Sequence, residues 1–204
     1  MCLLKILKLQ RLEGAMSSFR EDLSDSSFDF QRVVSPIIKP WVDGGELVLI
    51  EGSKDETLKA LDTYSGIDVL HICNGQVRGI ANRIQWVDVS YRTFTIRYDR
   101  DSGTKTEYEK RREAIDSQRG FIYPYLTVQS YIAPPKRQGN LINLAMCRTS
   151  DLINICTRFE QGGIQNKEHV REGRTTNASF IIIDWDFMKA EGHKISIFNN
   201  PEVF

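Results

Sequence analysis

Two runs rich in Ile, Val and Leu flank the Asn-Gly pair at 74–75. Residues 66–73 read GIDVLHIC and residues 76–85 read QVRGIANRIQ, and both runs suit β-strands. Asn-Gly between such runs is the strongest short-range signal of a β-hairpin, because both central residues of the favoured turn need positive φ. A two-residue turn gives these opposite pairs: Ile72 with Val77, Leu70 with Gly79, and Asp68 with Ala81.

The pattern along the rest of the chain predicts helices between further strands. Helical spacing over 30–41 is limited by Pro36, and two capping boxes, Ser53 to Glu56 and Thr106 to Glu109, each open a helix. A third helix is predicted over 149–159, and the further strands over 46–51, 93–98, 121–132 and 179–185, with a polar loop over 161–177. This order predicts an α/β fold, with α+β as the alternative, in which helices flank a central mixed β-sheet.

Composition indicates an ordinary soluble protein. The 204 residues include 41% hydrophobic and 26% charged residues, enough for one sizeable core. We expect 1–29, whose second half is rich in Ser and Asp, to be a flexible N-terminal extension, and 30–204 to form a single domain. Lys and Arg balance Asp and Glu at 27 each, so a nucleic-acid partner would need a local basic stripe.

Cysteine and histidine spacing argues against a disulfide framework and against zinc. The four cysteines form no CxxC pair and the three histidines lie far apart, which fits reduced thiols in a cytoplasmic protein. The apolar stretch 1–12 is interrupted by Lys5, Lys8 and Arg11, so it is too short and too charged to span a bilayer. We expect no membrane partner.

Four residues of the predicted hairpin share one face: Asp68, Ala81, Arg83 and Gln85. A carboxylate beside a basic and an amide side chain is typical of a functional site rather than of a core. A longer loop spanning 73–78 would instead bring Arg83 opposite Asp68, with Gln85 diagonal to it. The sequence leaves both registers open.

At these residues the chain resembles the PD-(D/E)XK nuclease superfamily, over about residues 53–132. Its members have a helix, then a hairpin with Asp on the first strand and Glu/Gln-x-Lys on the second. The resemblance implies a restriction-endonuclease-like core and a nuclease that uses Mg²⁺ or Mn²⁺. It implies catalytic roles for Asp68, Arg83 and Gln85, and metal-ligand roles for Asp68, Asp62 and Glu56.

Two positions depart from the superfamily pattern. The short register puts Ala81 and Arg83 where the family has Glu and Lys. Alanine cannot ligate a metal, and arginine binds phosphate well but stays protonated, so it is a poor substitute for a proton-transferring lysine. A nuclease-like fold that no longer cuts is therefore an alternative.

A dense basic segment follows the hairpin, from Thr95 to Arg112. The helix start after Gly103 offers free N–H groups to a phosphate, and neighbouring cations could extend that surface along a nucleic-acid backbone. The predicted nucleic-acid-binding residues are Arg97, Arg100, Lys105, Thr106, Lys110 and Arg111. The alternative is a solvated helix face with local ion pairs such as Glu107 with Arg111.

The leading hypothesis is a metal-dependent phosphodiesterase, an endonuclease acting on DNA or RNA. The first alternative is a catalytically inactive nuclease-fold module that binds or inhibits a partner in bacterial or phage conflict, such as phage defence. The second is a small nucleotide-binding domain that uses the helix start at 103–106. A protein partner and a homodimer stay open.

Overall fold

The computed structural model describes residues 21–116, 123–164, 168–175 and 177–201. In these ranges nine strands form two sheets. The strands are β1 Glu46–Leu49, β2 Val69–Cys73, β3 Gln76–Trp86, β4 Thr93–Arg100, β5 Leu126–Ile132, β6 Leu141–Arg148, β7 Val170–Arg174, β8 Ala178–Asp184 and β9 Ile195–Asn199.

Six strands form a mixed sheet in the order β1-β2-β3-β5-β6-β9, in which only β3 and β5 run parallel among the described pairs. The other three form an antiparallel sheet in the order β4-β8-β7. The prediction of an α/β fold with a mixed sheet and flanking helices is confirmed. The strand predicted over 93–98 exists as β4, but it belongs to the second sheet.

Five helical segments flank the sheets in the described ranges. The first, α1, covers 21–42 and changes from α-helix to a π-helical turn at Phe30–Val34, then to Ser35–Ile38 and a 3₁₀ turn at Lys39–Val42. The others are α2 Glu56–Ala60 with a π-helical turn Leu61–Ser65, α3 Glu107–Asp116, α4 Thr149–Glu160 and α5 Trp185–Ala190. Within these ranges no helix is both long and apolar enough to cross a membrane.

The hairpin forms in the shorter of the two registers. Asn74 and Gly75 have φ of 50° and 73°, and Ile72 pairs with Val77. Gly79 is required here, because a Cβ at that position would lie 2.6 Å from Cδ1 of Ile67. The longer-loop register is therefore wrong.

Each face of the mixed sheet has its own core. On one face, Phe30, Val34 and Ile38 of α1 pack against strand residues that include Ile80 and Val128. On the other, which we call the inter-sheet face, the second sheet and helices α3, α4 and α5 cover the strands. Because side chains alternate along β3, the position of Ile84 on the α1 face puts Arg83 on the inter-sheet face.

Asp29 fastens α1 to the sheet. Its buried carboxylate accepts hydrogen bonds from Trp86 Nε1 at 2.8 Å, from the Arg137 backbone N–H at 3.0 Å and from Arg32 Nη2 at 2.6 Å. Burial raises the pKa of Asp29, but these hydrogen bonds outweigh it and leave the pKa below the ordinary value of 3.8. Of the extension expected over 1–29, the part 21–29 is helical, and 1–20 lies outside the described residues.

Several sequence predictions need correction. Asp55, not Ser53, caps α2, since its carboxylate accepts from the N–H groups of Thr57 and Leu58. The predicted polar loop over 161–177 contains strand β7, and the pattern gave no sign of β6, α5 or β9. Strand β5 begins at Leu126, and residues 121–122 of its predicted start lie outside the described residues.

Replacing Asp29 tests the attachment of α1. Asp29→Ala leaves the Trp86 and Arg137 donors without their acceptor, so we expect the free energy of unfolding to fall by about 3 kcal/mol at pH 7. Because the pKa of Asp29 is lowered in the folded protein, the extra free energy of unfolding of the wild type is complete above the ordinary aspartate pKa. It shrinks as the pH falls through the pKa of the folded protein. Urea unfolding at pH 7 and at pH 3 measures both effects.

Asp22→Ala is the matched control. Asp22 is exposed on the same helix and pairs with Lys136, so its loss should cost less than about 1 kcal/mol. Equal losses for the two variants would contradict the role given to Asp29.

Candidate functional site

Four arginines meet around one glutamate between the two sheets. Arg83 comes from β3, Arg97 and Arg100 from β4, and Arg111 from α3; we call them the arginine cluster. All four interact electrostatically with Glu107 at the start of α3, and Arg83 Nη1 lies 3.6 Å from Glu107 Oε2. Arg97, Arg100 and Arg111 were predicted from the basic segment, and Arg83 was predicted from the hairpin.

Phe180 of β8 supports two of these guanidinium groups. Arg83 Cζ lies 4.9 Å from the ring centroid and Arg97 Cζ lies 5.4 Å from it. The pairing of Arg97 with Phe180 between β4 and β8 fixes the second contact. A cation over an aromatic face is favourable and lets the group lose water at lower cost.

The cluster contains polar N–H groups that lack a partner. The Nε atoms of Arg97, Arg100 and Arg111 are buried and have no hydrogen-bond acceptor among the described residues. The same holds for Nε2 of Gln129, which β3–β5 pairing places beside Arg83. Buried donors are almost always paired in folded proteins, so four such donors together indicate a place for an acceptor-rich ligand.

Charge in the cluster is unbalanced. Burial raises the pKa of Glu107. The charges of the four arginines lower it by more than burial raises it, so the pKa is held below the ordinary value. Burial lowers the pKa of Arg83 and Arg100, and the charge of Arg97 lowers both again. Glu107 is the carboxylate that all four cations share, and its single charge leaves a positive surplus at Arg83, Arg97 and Arg100 that favours an anion.

Three carboxyl groups lie next to this cluster: Glu51, which follows β1, Asp62 of the π-helical turn, and Asp68 before β2; we call them the acidic trio. Asp68 Oδ2 accepts from the Asn82 N–H at 2.6 Å. Burial first, then the charges of Glu51 and Asp62, raise the pKa of Asp68 well above its ordinary value. Burial and the charge of Asp62 raise the pKa of Glu51 to about 7.

The pKa of Asp62 is subject to opposing effects. Burial raises its pKa, while a hydrogen bond from the Gly52 N–H and the charge of Lys110 act in the opposite direction. Lys110 Nζ also donates to the Thr63 carbonyl oxygen at 2.7 Å, which ties α3 to the turn that carries Asp62.

Arg111 connects the acidic trio with the arginine cluster. Its side chain is buried, and it interacts electrostatically with Asp68 on one side and with Glu107 on the other. Asp68 and Arg83, predicted together from the hairpin face, therefore belong to one continuous charged site.

The remaining predicted residues lie apart from its centre. Glu56 is exposed at the first position of α2. Gln85 is half-buried opposite Tyr131, and its side chain makes no hydrogen bond within the described residues. Lys105 pairs with Glu113 at 2.6 Å, which is the local ion pairing that the alternative interpretation of the segment expected.

Thr106 serves the helix rather than a ligand. Its N–H donates to Glu109 Oε2 at 2.7 Å and the Glu109 N–H donates to Thr106 Oγ1 at 3.3 Å, so the predicted capping box is confirmed. These bonds occupy two of the N–H groups that the sequence interpretation offered to a phosphate, those of Thr106 and Glu109.

A divalent cation stays a prediction. Across the described ranges, no group of three or more His, Cys, Asp or Glu side chains is arranged to hold a metal ion. In the acidic trio, Glu51 Oε2 is buried and has no hydrogen-bond partner among the described residues. The predicted set of Asp68, Asp62 and Glu56 thus has two members in the acidic trio and one outside it.

Sequence reasoning missed Glu51, Gln129 and Phe180 as parts of the site. Glu51 and Phe180 stand in or beside apolar strand runs with no motif around them. Gln129 reaches the cluster only through the parallel pairing of β3 with β5. Glu107 was noted for a local ion pair with Arg111, but among the described residues its ion pair is with Arg83, and the charge of Arg111 acts on it from farther away.

Comparison with protein-family models, with curated proteins and with solved structures finds no match to this chain.

The pKa of Glu51 predicts a dependence of stability on pH. A carboxyl whose folded pKa is raised from 4.5 to about 7 stabilises the fold fully below its unfolded value, and this contribution is lost as the pH rises through about 7. We expect the wild-type free energy of unfolding to fall between pH 4.5 and 7.5 more than that of Glu51→Gln. Urea unfolding across this range measures the difference, and a carbon-detected carboxyl titration of Glu51 with a midpoint near 4.5 would contradict it.

Removing the central carboxylate tests the charge imbalance. Glu107→Gln leaves four guanidinium groups without their anion, so we expect a loss of about 2 kcal/mol, moderated by the partial exposure of Glu107. Inorganic phosphate should raise the melting temperature of this variant more than that of the wild type. Glu113→Gln, exposed on the same helix, is the control and should change stability by less than about 0.5 kcal/mol. Equal phosphate responses in all three proteins would contradict a surplus of positive charge.

Proposed function

We propose that this protein binds a phosphodiester of nucleic acid at the arginine cluster and hydrolyses it with the acidic trio. The observation that carries the proposal is the set of three buried arginine Nε atoms without an acceptor, beside a single carboxylate. A phosphodiester supplies two non-bridging oxygens that share one negative charge, and arginine is the side chain best suited to bind such a pair.

Binding at this place stabilises the charge that builds up during hydrolysis. When water attacks phosphorus, negative charge grows on the non-bridging oxygens, and donors that are already fixed need no reorganisation. Phe180 fixes Arg83 and Arg97, and Glu107 holds the cluster together.

The acidic trio supports proton transfer. A carboxyl with pKa near 7 is well matched to accept a proton from water, which is the role proposed for Glu51. Asp68, whose pKa is also raised, would donate a proton to the leaving oxygen. Water gains a bond to phosphorus, the ester P–O bond breaks, and the proton lost by water is balanced by the one delivered.

The resemblance to PD-(D/E)XK nucleases, including the restriction-endonuclease-like core, belongs to this proposal. It is supported by Asp68 at the open end of the hairpin, where its charge interacts with Asp62 and Arg111. Because the described residues supply no set of three metal ligands, we assign no step to Mg²⁺ or Mn²⁺, and both enter as conditions of the assay.

Two observations favour binding without catalysis as the second candidate. Arg111 lies where it neutralises Asp68, and Ala81 stands where the superfamily has its second carboxylate. A nuclease-like module that only binds nucleic acid would keep the arginine cluster and lose the reaction.

Cleavage and binding assays separate the two candidates. Labelled DNA and RNA are incubated with Mg²⁺, Mn²⁺ or EDTA, and their binding is measured in parallel. We expect Asp68→Asn to lower the cleavage rate at least about a hundredfold while binding persists, since a positioned acid or base contributes that much. Arg97→Ala should weaken binding about tenfold or more, because a hydrogen bond to a charged group is lost.

Arg137→Ala is the matched control for Arg97→Ala. Arg137 is exposed and pairs with Asp25 of α1, which covers the other face of the mixed sheet, so both assays should give wild-type values. Binding that Arg97→Ala weakens, without cleavage under any condition, selects the binding module. Binding and cleavage that are the same in Arg97→Ala as in the wild type refute the proposal.

A further inference from the structure

A second basic feature lies at one end of the mixed sheet. It is a cleft of about 370 Å³ where the end of β6 and the start of β9 meet the region after α5. We call it the basic cleft. Its lining residues are Leu126, Met146, Cys147, Arg148, Lys189, His193, Lys194, Ile195 and Ser196.

The charge of the basic cleft has one sign. Arg148, Lys189 and Lys194 are exposed, and no carboxylate is among the lining residues. His193 Nδ1 lies 3.7 Å from Asp151 Oδ2, and Asp151 does not line the cleft. Three cations around an apolar floor attract an anionic ligand with an apolar part.

An aromatic ring continues the cleft along the surface. Tyr125 is half-buried, with Arg148 Cζ 5.9 Å and Arg78 Cζ 5.0 Å from its ring centroid. Arg148 belongs both to this contact and to the cleft, and Leu126, the next residue after Tyr125, lines the cleft. Tyr125, its two arginines and the cleft are therefore continuous.

We propose that a single strand of nucleic acid binds across Tyr125 and into the basic cleft. Proteins that hold single strands combine cations along the backbone with aromatic rings on which bases stack. Leu126, Met146 and Ile195 offer apolar contact to a base that has left its stack. Bases of a duplex are already stacked on each other and cannot reach this floor.

This inference rests on the proposed function and names its substrate class as single-stranded nucleic acid. Tyr125 comes directly before β5, and Gln129, which pairs with Arg83, follows four residues later. At ~3.3 Å per residue the two positions are roughly 13 Å apart along the chain. A nucleic-acid strand of several nucleotides is longer than this separation.

The test uses the triple variant Arg148→Ala, Lys189→Ala, Lys194→Ala. A labelled twelve-nucleotide single strand and the matching duplex are bound in EDTA and followed by fluorescence anisotropy over a range of salt. We expect the variant to bind the single strand at least about tenfold more weakly, with a salt slope smaller by about 2 because three phosphate contacts are removed. Lys39→Ala, Lys54→Ala, Lys59→Ala removes the same charge from exposed positions elsewhere and should bind like the wild type.

Tyr125 provides the second arm. Tyr125→Leu should weaken single-strand binding at least about fivefold without changing the salt slope, and Tyr125→Trp should retain binding, as stacking requires. Wild-type binding by the triple variant overturns the inference. Equal affinity of the wild-type protein for the duplex and the single strand also overturns it.

A small phosphodiester separates this inference from the proposed function. Bis(4-nitrophenyl) phosphate is too short to cover both places, so the triple variant should hydrolyse it at the wild-type rate if the arginine cluster is the reaction site. Loss of single-strand binding in the triple variant, with hydrolysis unchanged in Arg97→Ala, leaves the cleft standing and removes the proposed function. Retained binding in the triple variant, with hydrolysis lost in Arg97→Ala, overturns the role of the cleft and leaves the proposed function standing.

Discussion

The parallel pairing of β3 with β5 is the constraint on which the site depends. Two parallel neighbours need a long connection, because the chain must return to the starting end before the second strand begins. Here the connection carries β4 and α3 across the inter-sheet face. Arg97, Arg111 and Glu107 therefore lie over Arg83, and the site is a direct result of how the sheet is ordered.

Concentrating four arginines in this way opposes stability. Arg111 is buried and the other three guanidinium groups are half-buried, so all four lose hydration that the shared Glu107 only partly offsets. Much of the opposing stabilisation comes from apolar packing outside the site, in the core of α1 on one face and of α4 and Trp185 on the other. Functional sites commonly keep such destabilising charge contacts, and the rest of the structure compensates for their cost in stability.

Local signals predicted local structure well. Asn74-Gly75 predicted the hairpin because turn geometry is decided by two residues, although a longer loop left a second register open, and Thr106 with Glu109 marked the start of α3. At Ser53 the same motif failed, since Asp55 offers a stronger acceptor closer to the helix. Strand β6 is buried on both faces and so shows no alternation to detect. The assembly of the site could not be read from the sequence, because Glu51, Gln129 and Phe180 reach it only through strand pairing between distant segments.

The attachment of α1 has a consequence for synthesis of the chain. Arg32 Nη2 donates to the Gly139 carbonyl oxygen, a contact between residues 107 positions apart. At about 5–20 residues per second, the ribosome needs roughly 5 to 20 s between making one partner and the other. During most of that interval Phe30, Val34 and Ile38 lack the part of their core that β5 and β6 supply, such as Val128 and Leu144. The nascent chain therefore exposes an apolar helix that a cellular chaperone can hold until β5 and β6 have emerged.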